Sequence, residues 1–322
     1  MVAESSRGVT DEAPPAVFLM GPTASGKTAL AVELARRYPL EIISVDSAQV
    51  YRGLDIGTAK PSFELRREVP HHLVDIAEPT EAYSAARFRD DALAAMREIT
   101  RAGKIPLLAG GTMLYFRALL QGLSQLPAAS PEIRQQLDAQ ARREGWPAMH
   151  RRLAEVDPAA AARIHPHDSQ RIQRALEVHA ITGTAMTELY ARATDSVLEC
   201  RVIRLAVAPT ERAELHRRIG ERFHAMMAAG FEDEVAALMQ RPGMQAALPA
   251  MRAVGYRQLA EYLSGQRGRE EAIERGIIAT RQLAKRQLTW LRRESGLCWL
   301  DSDDPGLFSR TVSYLRQAGV SL

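Results

Sequence analysis

The sequence predicts an α/β protein: a parallel sheet covered by helices, with a helical insertion. Three observations carry this. Residues 16–20 (AVFLM) form a short apolar run that ends at a glycine and gives way to helix formers from Thr28. The same alternation recurs at 41–45 and 105–109. From Leu126 the composition then turns to Ala, Arg, Gln and Glu, with no strand-like run before 200–207. Buried parallel strands read as continuous apolar runs, and strands alternating with helices imply a sheet covered on both faces.

Taken in order, residues 1–13 carry acids and prolines where a signal peptide needs an apolar run, and are expected to be a disordered tail. After the first strand, loop and helix comes the second strand, 41–45; a helix is expected over 83–101 and a third strand over 105–109, closed by Gly110-Gly111. A helix over 113–121 completes this half. Beyond the 200–207 strand the chain reads as helices over 211–230, 232–240 and 270–294, with 299–300 as a last strand. The core is therefore assigned to 14–125 with 197–322, and the insertion to 126–196. Two domains suit a length of 322 residues, beyond the size at which single cores usually stop growing.

Composition excludes several classes. With 46% hydrophobic and 25% charged residues, the chain is neither disordered nor fibrous. Lys and Arg total 42 against 39 acids, so any case for a polyanionic partner rests on where the positive charge sits. The two cysteines, Cys200 and Cys298, are too far apart in sequence for a metal or redox motif and too few for a secreted disulfide framework. A reducing cytoplasm is the expected location, and no segment is apolar for long enough to span a bilayer.

The strongest motif is Gly21-Pro22-Thr23-Ala24-Ser25-Gly26-Lys27-Thr28, a full P-loop between a predicted strand and a predicted helix. Its amides can face phosphate oxygens, Lys27 neutralises them, and the Thr28 hydroxyl can ligate Mg²⁺. This establishes a diphosphate or triphosphate ligand without saying which. Asp46 follows the second strand at the edge where open parallel sheets bind ligands. It reads as a functional carboxylate, as a turn cap with Ser47, or as a metal ligand of the kind kinases use. Gly110-Gly111-Thr112 closes the third strand on the same edge, and a tight turn explains it equally well. His71-His72 and His165-Pro-His167 lack the neighbours of a metal site and read as loop or surface residues. Asp168-Ser169 reads as the cap of a helix carrying Arg171, Arg174 and Glu177.

On the last long helix, Ile277, Ala284, Leu288 and Leu291 share an apolar face. Arg281, Lys285 and Arg292 flank it, and Arg275, Arg286 and Arg293 lie on the far side. No acid interrupts between Glu274 and Glu294, which makes this a candidate phosphate-backbone surface. Arginines of the insertion, from Arg134 to Arg174, extend the theme with acids interspersed.

Read together, GPTASGKT (21–28), DSAQVYRGLDIGTAKP (46–61), PHHLVDI (70–76), AGGTMLYFRALLQGL (109–123), RIQRALEV (171–178), VGYRQ (254–258) and TRQLAKRQLTWLRR (280–293) resemble the bacterial tRNA dimethylallyltransferases. The similarity runs over 16–299, and the stretch 46–61 beside the P-loop is its most specific part. The resemblance implies a P-loop nucleoside-kinase-like core and a helical insertion that closes on tRNA. The implied reaction moves a dimethylallyl group from dimethylallyl diphosphate to N6 of adenine 37, beside the anticodon, in tRNAs reading codons that begin with U. It leaves diphosphate and N6-isopentenyladenosine.

By the same resemblance, residues Gly21 to Thr28 and Arg222 hold the diphosphate with Mg²⁺, and Asp46 is the general base, with Lys27 and Thr112 taking part in catalysis. Asp46, Ser47, Ala48 and Gln49 hold the target adenine. Thr112, Arg134, Gln170, Arg171, Ile172, Gln173 and Arg174 contact tRNA, as do Arg252, Ala253, Val254, Gly255, Tyr256 and Arg257. Arg281, Lys285 and Arg286 join them from the basic helix, and the enzyme is expected to act as a monomer. Two other classes remain open on residues alone: a small-molecule kinase using ATP in the same loop, and an RNA-binding protein whose P-loop is a nucleotide switch. The basic helix speaks against the first and Asp46 against the second.

Overall fold

The computed structural model describes residues 13–122, 126–191 and 198–322. All but the last residue of the expected tail therefore lies outside the described residues. Two compact units are present: Met1–Ala118 with Leu198–Leu322, and Leu119–Val197.

In the first unit the chain forms β1 (Pro15–Met20), α1 (Lys27–Arg37), β2 (Leu40–Val45), α2 (Phe63–Glu68), β3 (His71–His72), α3 (Ala85–Arg101), β4 (Ile105–Gly110) and α4 (Met113–Gln121), the last of which runs on past Ala118. The second unit is helical: α5 (Pro131–Glu144), α6 (Trp146–Val156), α7 (Pro158–Ala161), α8 (Ser169–Thr182) and α9 (Met186–Ala191). The chain returns to the first unit as β5 (Arg201–Ala208), α10 (Arg212–Ala228), α11 (Phe231–Met239), α12 (Tyr256–Leu263), α13 (Arg269–Leu291), β6 (Cys298–Asp301) and α14 (Leu307–Gln317).

The six strands lie in the order β3-β2-β4-β1-β5-β6, and every pair is parallel. Ala16 to Leu19 are wholly buried, which is why β1 reads as an unbroken apolar run. On one face Val17, Leu34, Leu205 and Leu315 belong to a single core cluster. The connections out of β1 go to opposite sides of the strand, towards β4 and β2 and later towards β5, so the loop after β1 sits at a topological switch point.

One expectation is corrected here. His71 and His72 are not loop residues: they form β3, pairing with Ile42 and Ile43 at the sheet edge. Nδ1 of His71 lies 2.7 Å from the Val69 carbonyl, and Nε2 of His72 lies 2.7 Å from Glu41. Burial pushes the His71 pKa down. A two-residue strand is too short for any periodicity to reveal.

The segment between β2 and α2 is held by Lys60, whose side chain is 1% exposed. Its ammonium donates to the Tyr51 carbonyl at 2.7 Å, to Asp55 at 2.6 Å and to Asp75 at 2.5 Å, so all three donors are used. Ala59 beside it sits at φ 48, which a non-glycine residue adopts only when its surroundings enforce it.

The second unit has its own core, including Leu137, Met149, Leu153, Ile172 and Leu176. Asp168 caps α8 by accepting from the Arg171 amide, as its position before the helix predicts. Glu177, with a fully buried side chain, takes Nε and Nη2 of Arg134 at 2.8 and 3.0 Å, Nη1 of Arg174 at 2.7 Å and the Ser130 amide at 2.9 Å. Burial opposes its charge, but the arginines prevail and its pKa falls.

Candidate functional site

A cavity of about 590 Å³ opens in the first unit where β1, β2 and β4 end. One side of it is the loop after β1. Ala24 and Gly26 both adopt left-handed backbone, φ 63 and φ 86, a nest-like arrangement suited to anions. Gly26 caps α1 without a side-chain hydrogen bond, so the first helical amides are not satisfied by a cap side chain. Gly21 is required for a different reason: a β-carbon there would lie 2.4 Å from the Val207 carbonyl.

Lys27 lines the cavity with its ammonium 3.0 Å from the Pro22 carbonyl. Burial, and then the Arg222 guanidinium, push its pKa down to about 8, against the opposing pull of Asp46. Arg222 on α10 is itself lowered by burial and raised by Asp46, so the two cations and the carboxylate share one electrostatic environment. Thr28 and Asp46 line the same cavity.

Another part of the wall is built at the ends of β2 and β4. Oδ1 of Asp46 accepts from the amides of Ala48, at 2.9 Å, and Gln49, at 3.3 Å, while Oδ2 has no hydrogen-bond partner among the described residues. The carboxylate therefore both caps a turn and presents a free oxygen. Thr112 donates its amide to the Val45 carbonyl at 3.1 Å, and its hydroxyl accepts from the Ser47 amide at 3.1 Å, fixing the residue next to Asp46. Arg252, Ala253, Val254, Tyr256 and Arg286 complete this part of the wall.

Residues 49–294 match the family model described as IPP transferase, and 15–75 match one described as isopentenyl transferase. The chain belongs to the IPP transferase family. A curated relative from Alkalilimnicola ehrlichii, a tRNA dimethylallyltransferase, is 64% identical over 305 residues, covering 94% of this chain and 96% of that one. Among solved structures, the full-length tRNA isopentenylpyrophosphate transferase of Bacillus halodurans aligns with a TM-score of 0.69 at 36% identity, covering 95% of this chain and 97% of its own. A eukaryotic dimethylallyltransferase captured acting on tRNA aligns at 0.79 with 25% identity, over 96% and 81%. The IPP transferase core is thus the P-loop parallel sheet expected from the sequence.

Not every expected site residue of this IPP transferase is placed to contact a ligand. Arg134 and Gln170 to Arg174 belong to the second unit, and Ile172 is a correction: it is fully buried in that unit's core, so its side chain supports α8 rather than touching RNA. Arg134 already spends two donors on Glu177. Gln49 lines the cavity beside Asp46, its backbone amide donating to Oδ1 of that residue at 3.3 Å. Its Oε1 accepts from Ser44 at 2.9 Å and its Nε2 donates to the Thr58 carbonyl at 3.2 Å, because the loop folds back over it. Tyr256 is fully buried with its hydroxyl bound to Glu234.

On α13, Ala284 and Leu291 are buried as the apolar face predicts, with Ala284, Ile277 and Leu288 packed against α10. Arg281 turns inward, half-buried, towards the His216 carbonyl at 3.5 Å, and Arg275 is paired with Glu271 one turn earlier. Lys285, Arg286, Arg292 and Arg293 remain exposed.

The residue missed by sequence reasoning is Gln287, 8% exposed on α13. Its Oε1 accepts from the Thr23 amide at 2.9 Å and its Nε2 donates to the Gly111 carbonyl at 2.8 Å, tying the P-loop to the turn that carries Thr112. Its one local signal is a polar residue three positions from Ala284 and four from Leu291, on the helix's buried side.

Proposed function

We propose that the protein transfers the dimethylallyl group of dimethylallyl diphosphate to N6 of adenine 37 in tRNAs reading codons that begin with U, releasing diphosphate. The observation that carries the reading is a single cavity with a phosphate loop and Lys27 on one side and the unpartnered Oδ2 of Asp46 on the other. Family membership supplies the class of both substrates.

In this reading the N6 lone pair forms the bond to the allylic carbon as the carbon–oxygen bond to diphosphate breaks, its electron pair leaving with the diphosphate. Asp46 takes the N6 proton through Oδ2, a contribution of ~10²–10⁴-fold for a well-placed base. The adenine amino group is a weak nucleophile because its lone pair is delocalised into the ring, so removal of its proton as the bond forms matters. Lys27, Arg222 and the loop amides are oriented beforehand towards the departing charge, where they act without reorganisation. Thr28, with Asp46 nearby, would hold Mg²⁺, which when bound adds positive charge beside the diphosphate. The exposed cations of α13 and of residues 252–257 contact RNA phosphates, and Thr112, Arg134 and the exposed residues of 170–174 contribute from their own units.

Among the described residues no helix is long and apolar enough to cross a membrane. We infer a cytoplasmic enzyme acting as a monomer. Incubating the protein with unmodified tRNA, Mg²⁺ and isotopically labelled dimethylallyl diphosphate tests the central reading. Label is expected on the tRNA with one diphosphate released per transfer; release of ADP or AMP from added ATP without mass gain on the RNA overturns it.

A further inference from the structure

Glu234 stands outside every motif singled out in the sequence, yet it takes three consecutive amides of the loop that follows Asp46. From the first turn of α11, its Oε2 accepts from the amides of Asp55, at 2.9 Å, and Ile56, at 2.7 Å. Its Oε1 accepts from the Gly57 amide at 3.1 Å and from the Tyr256 hydroxyl at 2.5 Å. Three consecutive backbone amides thus converge on one half-buried carboxylate, and bonds to an ionised acceptor are the stronger kind. The approach is close: a β-carbon on Gly57 would lie 2.1 Å from the Phe231 ring and 2.7 Å from the Tyr256 ring.

The consequence appears one residue later. The Thr58 carbonyl accepts from Nε2 of Gln49 at 3.2 Å and from Nη2 of Arg222 at 3.5 Å, while its hydroxyl donates to the Leu54 carbonyl at 2.7 Å. Gln49 lies beside Asp46 and Arg222 beside Lys27, so one carbonyl orients a residue on each side of the cavity. The peptide that carries the Thr58 carbonyl is tied back to the segment Glu234 holds: the Ala59 amide donates to the Ile56 carbonyl and the Lys60 amide to the Asp55 carbonyl, both at 2.9 Å.

We propose that Glu234 is a positioning residue for the transfer, setting the loop 55–58 so that the Thr58 carbonyl aligns Arg222 towards the diphosphate and Gln49 beside Asp46. The kinetic part of this proposal rests on the transferase reading above; the diphosphate-binding part does not.

The test is Glu234→Gln, which keeps the shape but replaces one acceptor oxygen with a donor that faces an N–H or O–H. Displacement of positioned groups by even an ångström is costly, so kcat/KM for dimethylallyl diphosphate is expected to fall about tenfold or more. Inorganic diphosphate, titrated calorimetrically, is expected to bind about fivefold more weakly through the misaligned Arg222, with tRNA affinity held within about twofold and a cooperative melt retained. Wild-type diphosphate affinity with wild-type kcat/KM overturns the proposal, as does a loss that disappears on correcting for the folded fraction or that falls equally on tRNA binding. If Glu234→Gln does not fold, Glu234→Asp, which keeps the charge on an arm too short for all three amides, is judged by the same two measurements. Should the wild-type protein move no prenyl group to tRNA, the transferase reading fails by itself, and the diphosphate titration still decides the role of Glu234.

Discussion

Gln287 and Gly111 are packed so tightly that a β-carbon on the glycine would stand 2.4 Å from the glutamine Nε2, the atom that donates to the Gly111 carbonyl at 2.8 Å. The other end of the same carboxamide holds the Thr23 amide. Gln287→Leu fills the space but leaves that amide and that carbonyl without their partner. The expected cost is about 1–3 kcal/mol in chemical denaturation, together with a fall in kcat/KM for dimethylallyl diphosphate. A variant with unchanged stability and kinetics would reduce the bridge to an incidental contact.

Asp46 has two oxygens with different occupations, and one substitution separates them. Asp46→Asn keeps an Oδ1 able to cap Ala48 and Gln49 but removes the base. Turnover should drop by ~10²–10⁴ while tRNA affinity, measured by filter binding, barely changes. Near-normal turnover would mean that the cap is the carboxylate's whole role.

Lys27 makes a prediction with a defined pH window. Its pKa is pushed down to about 8, principally by burial, from an ordinary value of 10.5. The charged form attracts diphosphate, so kcat/KM for the prenyl substrate is expected to decline as pH rises through about 8. For folding the sign is opposite. Between about 8 and 10.5 the unfolded chain holds this proton and the folded chain does not, so stability is regained as pH rises through that range, and below it the lysine is a burden. Lys27→Met should therefore melt no lower than wild type at pH 7, lose that advantage towards pH 10.5, and transfer nothing. A variant less stable at pH 7 contradicts this.

Exposed and paired cations of α13 should differ in their effect on RNA binding. Lys285→Ala or Arg286→Ala is expected to flatten the slope of log affinity against log salt by about 0.7–0.9 per lost phosphate contact. Arg275→Ala, whose partner is Glu271, should leave the slope in place. Equal slopes for all three variants would mark the helix as merely solvated.

Much of this architecture was legible in the sequence because its signals are local. The P-loop, Asp46 and Thr112 each follow an apolar run, and parallel strands place whatever follows them on one edge. The connectors were not legible. Gln287 reaches Thr23 across 264 residues and Gly111 across 176, and Glu234 reaches Ile56 across 178; no periodicity reports such a pairing. Gln49 adds another such connection: its Nε2 donates to the Thr58 carbonyl of a loop whose return path sequence cannot trace. Arg275 shows that a helix face must be counted together with the turn before it.

The sheet order has a consequence for how the chain is made. β1 is made before both of its neighbours: it lies between β4 and β5, and Pro15 is in register with Arg201, with the entire second unit encoded between them. One side of β1 therefore has no neighbour until the ribosome has passed β5. Contacts so distant in sequence form slowly, because the intervening chain's entropy is spent before they give anything back. The helical segment made in between has its own core, with pairings that span fewer residues than those of β1 with β5. During that interval the apolar flank of β1 is open to wrong partners, and an unpaired strand edge of this kind is prone to aggregation.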